Sequence, residues 1–346
     1  MHYFPTLIRL QEFPCVSGYA YGFLPPLQKL CEGLFDSVSV TPAGSLLCMR
    51  HGVDARKTIL LDAHMDSPGF MVSMITPNGF LKVQKIGISD NNLLPSLDVM
   101  VYGKQPIRGV FASKPPHIMT PEERAKAIGD QDLLIDVGFT EAEAEEHIQI
   151  GDLVTFSPCV TLLQNGYVSA TGLSSRLGIL SLLHCAQLVQ HQTLPFHVAC
   201  LFSTGYHTNN RGISSAIYLL NPDMLISLDA CPAAFPDIDK RLLCQTEHGP
   251  VIHVCDAHGL SLSNALIDCA KENGISHQIM ASPSGVCSQS DRAFTSFEGV
   301  PTAVVSLPMR NLHSPHETAC LTDAEQTARL LASFVLHPEK AVIPCK

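Results

Sequence analysis

The chain has 346 residues, of which 46% are hydrophobic and only 16% are charged, and its formal net charge is −10. This length exceeds one ordinary core, so we expect two domains, and the apolar content excludes a disordered chain. An acidic chain without a cluster of Lys or Arg presents no electrostatic surface for nucleic acid or for an anionic membrane, so we expect neither as a partner.

The cysteines and the N-terminal segment bear on the cellular compartment. Thirteen cysteines are scattered along the chain without a Cys-x-x-Cys pair, a pattern that predicts neither a disulfide framework nor a cysteine-type zinc site. The first residues lack the apolar core of a signal peptide, and no apolar run approaches the roughly 20 residues of a membrane span. We therefore expect a cytoplasmic protein.

Four apolar, strand-like runs each lead into polar residues of the kinds that bind metals. In chain order they are 58–66, which contains His64 and Asp66; 196–203, which leads to Tyr206 and His207; 224–229, which ends at Asp229; and 302–307, which leads to His313. Ligands bind at the carboxyl ends of the strands in open α/β sheets. We therefore expect these side chains to meet at one edge of a sheet.

Helical patterns lie between the strand-like runs. Leucines recur at helical spacing over 174–191, and a second helix is predicted over 263–273. A third is predicted to begin with a capping box formed by Thr322 and Glu325 and to stop before Pro338. Strands that alternate with helices predict the α/β class, with a mixed sheet flanked by helices.

The stretch 71–163 has a different pattern. Short β-like pieces are separated by Gly, Pro and Asn, and two short helices are predicted to begin at Thr120 and Thr140. We expect a small, mostly β domain inserted into a discontinuous α/β domain made of 1–70 and 164–346.

Each candidate ligand has a functional and a structural interpretation. His64 can bind zinc while Asp66 orients it, although such a triplet also arises by chance. Asp229 ends a buried run, so its carboxylate needs a cation or several donors, or it caps a helix. His313 is a ligand or a loop histidine bonded to the backbone.

Taken in this order, the motifs resemble the dinuclear-zinc aminopeptidases that assemble as tetrahedral dodecamers, the group of the glutamyl and deblocking aminopeptidases. The resemblance is carried by Ser17-Gly18-Tyr19, by 62–66 followed by Gly69-Phe70, by the long string over 109–124, and by 134–138, 151–156, 249–251, 272–275, 299–302 and 313–315. It implies a zinc-peptidase-like sheet, a dimerisation role for 71–163, peptides or small amides as substrates, and a homo-oligomer from dimer to dodecamer.

The chain departs from that family at its catalytic positions. The family motif Leu-Asp-Asp/Asn-Arg-x-Gly reads Leu-Ser-Ser-Arg-Leu-Gly here, which puts Ser174 where an aspartate bridges two metals. The family's paired glutamates are replaced by Tyr206, at the general-base position, and by His207. A serine cannot hold two zinc ions together, and a phenol with a pKa near 10 is a poor base at neutral pH. The segment 284–291 also departs from the family's Gly-rich Thr-Asp segment.

The resemblance implies roles for the residues that remain. Asp66 keeps its catalytic, orienting position, and the metal ligands would be His64, His207, Asp229 and His313. Three imidazoles and one carboxylate suit a single tetrahedral ion, so we expect zinc or another divalent metal at no more than one per chain, or none.

Three functional hypotheses follow. The first is an aminopeptidase-family homologue that is inactive or strongly altered as a peptidase and serves peptide binding or assembly, a pseudoenzyme. The alternative is a metal-dependent aminopeptidase or other amide hydrolase with a one-metal site. A third makes Cys287, Ser174 or Ser175 a nucleophile near a histidine, but no nucleophile-elbow pattern surrounds them.

Overall fold

The computed structural model of the protein describes residues 2–236, 238, 243–255, 260–282 and 289–341. The helices within these residues are α1 Tyr3–Gln11, α2 Leu24–Cys31, α3 Pro121–Ala125, α4 Glu141–His147, α5 Leu173–Leu188, α6 Arg211–Leu220, α7 Leu260–Glu272, α8 Ser290–Phe294 and α9 Leu321–Leu336. The strands are β1 Ser37–Val40, β2 Leu46–Arg50, β3 Asp54–His64, β4 Gly69–Ile75, β5 Leu81–Ile86, β6 Asp98–Tyr102, β7 Pro106–Phe111, β8 Leu134–Asp136, β9 Leu153–Phe156, β10 Val160–Leu162, β11 Tyr167–Ala170, β12 Phe196–Ser203, β13 Met224–Pro232, β14 Val251–Val254, β15 Gln278–Ala281, β16 Thr302–Met309 and β17 Glu317–Cys320.

An eight-stranded mixed sheet forms the centre of the α/β part, in the order β1-β2-β12-β3-β13-β16-β14-β15. The four central strands, β12, β3, β13 and β16, are parallel, whereas β2 and β14 run antiparallel to their neighbours in this group. Parallel strands are covered on both faces, which explains why these segments are continuous apolar runs. The predicted mixed α/β fold is confirmed.

Helices cover both faces of this sheet because successive strand residues point to opposite sides. Ile59 and Leu61 of β3 belong to the larger core, which also contains apolar residues of α1, α2, α5, α7 and α9. Leu60 points the other way and packs with Ile213 and Ile217 of α6. A Cβ atom on Gly178 of α5 would lie 3.1 Å from the Cβ of Ala63, so α5 packs closely on the strand that carries His64.

A second unit is a closed β-barrel of six strands in the order β4-β5-β8-β7-β6-β9. Its interior is a separate apolar core of thirteen buried residues, among them Phe70, Phe111 and Val154. The barrel begins with β4 at Gly69, five residues after His64 ends β3. A three-stranded sheet is formed by β10, β11 and β17. The domain limits at 70/71 and 163/164 and the dimerisation role remain predictions.

The predicted helix starts are partly right. At α4 the capping box forms as expected: the Thr140 side chain accepts a bond from the backbone N–H of Glu143, and Glu143 accepts one from the backbone N–H of Thr140. The capping box predicted for Thr322 and Glu325 is wrong. Strand β17 leads directly into α9, which begins at Leu321 after Cys320, so Thr322 already lies inside the first turn.

Asp323 in that first turn of α9 fixes a neighbouring loop instead. Its carboxylate oxygens accept bonds from the backbone N–H groups of Glu247, at 2.9 Å, and Gly249, at 2.8 Å. Burial raises the pKa of Asp323 from 3.8 to about 6, against the lowering effect of those two bonds. The folded chain therefore holds the proton of Asp323 more tightly than the unfolded chain does.

This pKa predicts a pH-dependent contribution to stability. The contribution is fully present below the ordinary pKa near 3.8 and is lost as the pH rises through about 6. The difference corresponds to at most roughly 3 kcal/mol. We expect Asp323→Asn to reduce the pH dependence of the free energy of unfolding between about pH 4 and 6, measured by urea denaturation across that range. Asp268→Asn, at an exposed position on α7, is the control. If the free energy of unfolding changes equally with pH in both variants, Asp323 is not the source of the pH dependence.

Candidate functional site

The candidate site lies at the carboxyl ends of β12 and β3 and beside Asp229, which lies within β13 three residues before that strand ends at Pro232. In the parallel register His64 pairs with Ser203, and Ala63 pairs with Leu228. Asp229, the residue after Leu228, therefore lies level with His64, and the loop after Ser203 brings in Tyr206 and His207. The sheet register is the reason why residues from distant segments meet here.

His64 and Asp66 form one buried unit. The Nδ1 atom of His64 lies 2.8 Å from the carbonyl oxygen of Asp66 and 3.8 Å from its Oδ1, so Nδ1 carries the ring proton. The backbone N–H of Tyr206 donates to Asp66 Oδ2 at 3.0 Å. Burial opposes charge on both groups, but their mutual attraction prevails: the pKa of Asp66 is lowered and the pKa of His64 is raised.

Tyr206 lies between His64 and Asp229. Its ring stacks on the His64 ring with the centroids 4.0 Å apart and the planes 14° from parallel. Its hydroxyl donates to Asp229 Oδ2 at 3.1 Å. Asp229 also accepts a bond from the backbone N–H of Ala230 at 2.8 Å. Burial raises the pKa of Asp229, while these donors and the nearby His64 act in the opposite direction.

His207 packs edge-on against both rings, with centroids 6.0 Å from His64 and 5.0 Å from Tyr206. Burial, reinforced by the charge of His64, lowers the pKa of His207 to about 4, so it is neutral at physiological pH. Its Nε2 atom is buried and bonds to no acceptor or donor within the described ranges. A side chain at Gly87 would collide with this ring, so Gly87 lets the barrel approach it.

Glu317 connects Ser174 and His313, the two site residues not yet described. Its buried carboxylate accepts the backbone N–H of Ser174 at 2.8 Å and the backbone N–H of His313 at 3.0 Å. The pKa of Glu317 is raised by burial, against those two bonds. His313 has φ +63°, a left-handed conformation rare for a histidine, and the bond from its N–H supports it. Its side chain is exposed at the rim of the site.

As they lie, the described residues do not fit the metal ion that the family resemblance implies. Among them, no group of three or more His, Cys, Asp or Glu side chains is arranged to hold a metal. The phenol of Tyr206 covers the face of His64 and bonds to Asp229, the two ligand candidates on adjacent strands. The phenol of Tyr206 therefore takes up one of the acceptor sites of Asp229 that an ion would use.

The structure brings His64, Asp66, Tyr206, His207 and Asp229 together at one edge of the sheet, and it joins Ser174 and His313 through Glu317. Their roles in catalysis or metal binding stay predictions. In the sequence, Glu317 lies four residues after His313, and the pattern assigns no role to Glu317. An acidic residue next to apolar residues is one sign of a buried hydrogen-bond acceptor. Cys287 and most of 284–291 lie outside the described residues.

Comparisons with known proteins agree with this architecture. The M42 glutamyl aminopeptidase family matches residues 44–330. SgcX, a putative aminopeptidase of Escherichia coli strain K12, is 29% identical over 347 residues, which cover 95% of this chain and 92% of the relative. The crystal structure of a TET aminopeptidase from a marine-sediment archaeon of the Thaumarchaeota has a TM-score of 0.91 at 27% identity and covers 97% of both chains. The TET1 peptidase of Pyrococcus horikoshii, which can assemble into a tetrahedron or a large octahedral shell, has a TM-score of 0.83 at 26% identity, with 96% of this chain and 99% of that chain covered.

The Glu317 contacts predict a large stability effect. Glu317→Ala leaves the N–H groups of Ser174 and His313 without their acceptor, and each such loss costs about 1–3 kcal/mol. We expect a loss of roughly 2–5 kcal/mol in the free energy of unfolding, measured by chemical denaturation. Glu317→Gln keeps one acceptor oxygen and should lose about half of this. Glu325→Ala, on α9, is the control, and equal losses at 317 and 325 would refute the role.

Proposed function

Because this chain belongs to the M42 glutamyl aminopeptidase family, whose members are metal-dependent peptidases, we propose that it is a non-hydrolytic member that serves peptide binding or assembly. The single observation that carries this proposal is the position of Tyr206. Its ring stacks on His64 and its hydroxyl bonds to Asp229. The Asp229 carboxylate thus has a hydroxyl donor within the protein, and the phenol packs against the imidazole of His64.

The residue types at the site support the same proposal. General-base catalysis contributes typically 10² to 10⁴-fold, and a metal ion polarises the carbonyl and activates water. The Tyr206 hydroxyl uses its proton in the hydrogen bond to Asp229, so it is not free to take a proton from water. Ser174 offers no carboxylate, and its backbone N–H is bonded to Glu317. Tyr206 therefore does not supply a general base, and Ser174 does not supply a carboxylate that could bridge two metal ions.

The roles of the other site residues belong to this proposal. Asp66 keeps its orienting contact with His64 and with the loop that carries Tyr206. If one zinc or similar divalent ion binds, the candidate ligands are His64, His207, Asp229 and His313. We propose no more than one ion per chain because Ser174 cannot supply the charge that bridges two ions.

Assembly and location are proposed on separate grounds. The TET1 peptidase that this chain resembles can assemble into a tetrahedron or a large octahedral shell. We propose that this chain forms a homo-oligomer, from dimer to dodecamer, through the barrel within 71–163. No helix in the described part of the chain is long and apolar enough to cross a membrane. We propose a cytoplasmic location because the thirteen cysteines are scattered without a pattern that predicts a disulfide framework.

The first test measures metal content and activity together. We expect elemental analysis after gel filtration to find no more than one divalent ion per chain. We also expect negligible hydrolysis of leucyl-, glutamyl- or lysyl-p-nitroanilide with added zinc, cobalt or manganese, because both the base and the bridging ligand are missing. Metal-dependent turnover that is abolished by His64→Ala or Asp229→Ala would replace this proposal with the one-metal hydrolase.

A second prediction rebuilds the site with Ser174→Asp, Tyr206→Glu and His207→Glu in one protein. We expect the rebuilt protein to bind more divalent metal than the natural one, measured by isothermal titration calorimetry, because carboxylates replace a hydroxyl, a phenol and an imidazole beside His64 and Asp229. Tyr206→Phe is the matched control: it keeps the stacked ring and removes only the hydroxyl bond to Asp229. A rebuilt protein that binds no more metal than this control would show that Ser174, Tyr206 and His207 are not the positions that exclude it.

A third measurement addresses assembly. Sedimentation velocity of the whole protein should give a mass between that of a dimer and that of a dodecamer. A monomer at micromolar concentration would remove the assembly role and leave peptide binding alone.

A further inference from the structure

Arg176, in the first turn of α5, is a buried cation that is only partly satisfied by the protein. Its side chain is 3% exposed. Its Nη1 donates to the carbonyl oxygen of Met65 at 2.6 Å and to the hydroxyl of Ser175 at 3.0 Å. The guanidinium carbon lies 4.4 Å from the centroid of the Phe23 ring. The Nε atom is also buried and finds no acceptor among the residues that the structure describes.

No carboxylate in the described ranges forms a salt bridge with Arg176. Asp66 lies close enough to act on it electrostatically, but this carboxylate is paired elsewhere: its Oδ1 lies 3.8 Å from His64 Nδ1, and its Oδ2 accepts the backbone N–H of Tyr206. Cys15 is also near, yet burial raises the pKa of its thiol, so it carries no negative charge at neutral pH. A buried charge without a close partner is costly, and arginine keeps its proton in proteins.

A small crevice adjoins this side chain. It has a volume of about 30 Å³ and lies between the barrel and the α/β part, since Tyr102 and Thr155 of the barrel line it together with Arg176. Ser67 and Thr171 also line it. One water needs roughly 10–15 Å³ of such space. The crevice therefore suits a monatomic ion or one or two waters. Of the lining hydroxyl groups, those of Ser67, Thr155 and Thr171 already donate to protein acceptors, so the Tyr102 O–H is the group that can donate to an anion.

We propose that this crevice binds a halide ion, chloride under ordinary conditions, which pairs with the Arg176 guanidinium. The residue before the arginine explains why the chain offers such a site. The Ser175 hydroxyl accepts a bond from Nη1, but it is neutral and so does not balance the charge of the guanidinium. An exogenous anion supplies the charge that the side chain at 175 lacks.

The ion has a structural consequence for the candidate site. Arg176 donates to the carbonyl of Met65, the residue between His64 and Asp66. The anion would therefore hold together three parts of the chain: the start of α5, the end of β3, and the barrel strands that carry Tyr102 and Thr155. This inference does not depend on the absence of peptidase activity.

The experiment compares anions at equal ionic strength. The melting temperature of the whole protein is measured in sodium chloride, sodium bromide and sodium gluconate, and crystals soaked in bromide are examined at the bromine absorption edge. We expect saturable stabilisation by chloride and bromide but not by gluconate, and an anomalous peak beside Arg176. Equal melting curves in all three salts, or a bromide peak at crystal concentration only, would overturn the proposal.

Variants at position 175 test whether the anion balances the charge of Arg176. Ser175→Asp supplies an internal carboxylate and should abolish the chloride dependence, whereas the neutral Ser175→Asn should retain it. Persistence of the same chloride dependence in Ser175→Asp would contradict the pairing with Arg176. If Ser175→Asp does not fold, the anomalous scattering and salt series on the natural protein decide the question.

Discussion

The arrangement of the site depends on one interaction, the insertion of the Tyr206 phenol between His64 and Asp229. The parallel register of β3 and β13 brings an imidazole and a carboxylate level with each other at the edge of the sheet. Such a pair calls for a cation or for donors. Tyr206 supplies a stacking surface for the imidazole and a hydroxyl donor for the carboxylate, and its backbone N–H completes the bonding of Asp66.

Two buried charged side chains, Glu317 and Arg176, support this arrangement. Glu317 accepts the backbone N–H of Ser174 and that of His313, and Arg176 donates to the carbonyl of Met65. Both bond to backbone atoms, so the positions that they give to the loops do not require a carboxylate at position 174.

The sequence predicts the positions of the strands well and predicts helix ends and local side-chain contacts poorly. The run over 196–203 coincides with β12, and the other three runs match β3, β13 and β16 to within a few residues. The helix predicted over 174–191 extends only to Leu188, and the capping box at Thr322 does not form. Helix ends are decided by the bonds that tertiary neighbours offer, and Asp323 is drawn to Glu247 and Gly249 instead.

The sequence by itself determined which chemical groups the site contains. It supplies Ser174, Tyr206 and His207 as the residue types at three of the site positions, and it places His64 and Asp229 at the ends of mostly apolar runs, because composition and apolar runs are local properties. Only the tertiary structure decided that Tyr206 contacts both of those residues, that Glu317 connects Ser174 with His313, and that Arg176 is buried without a carboxylate partner in the described chain. Contacts of this kind join residues far apart in the chain, and sheet register and packing, rather than local pattern, bring them together.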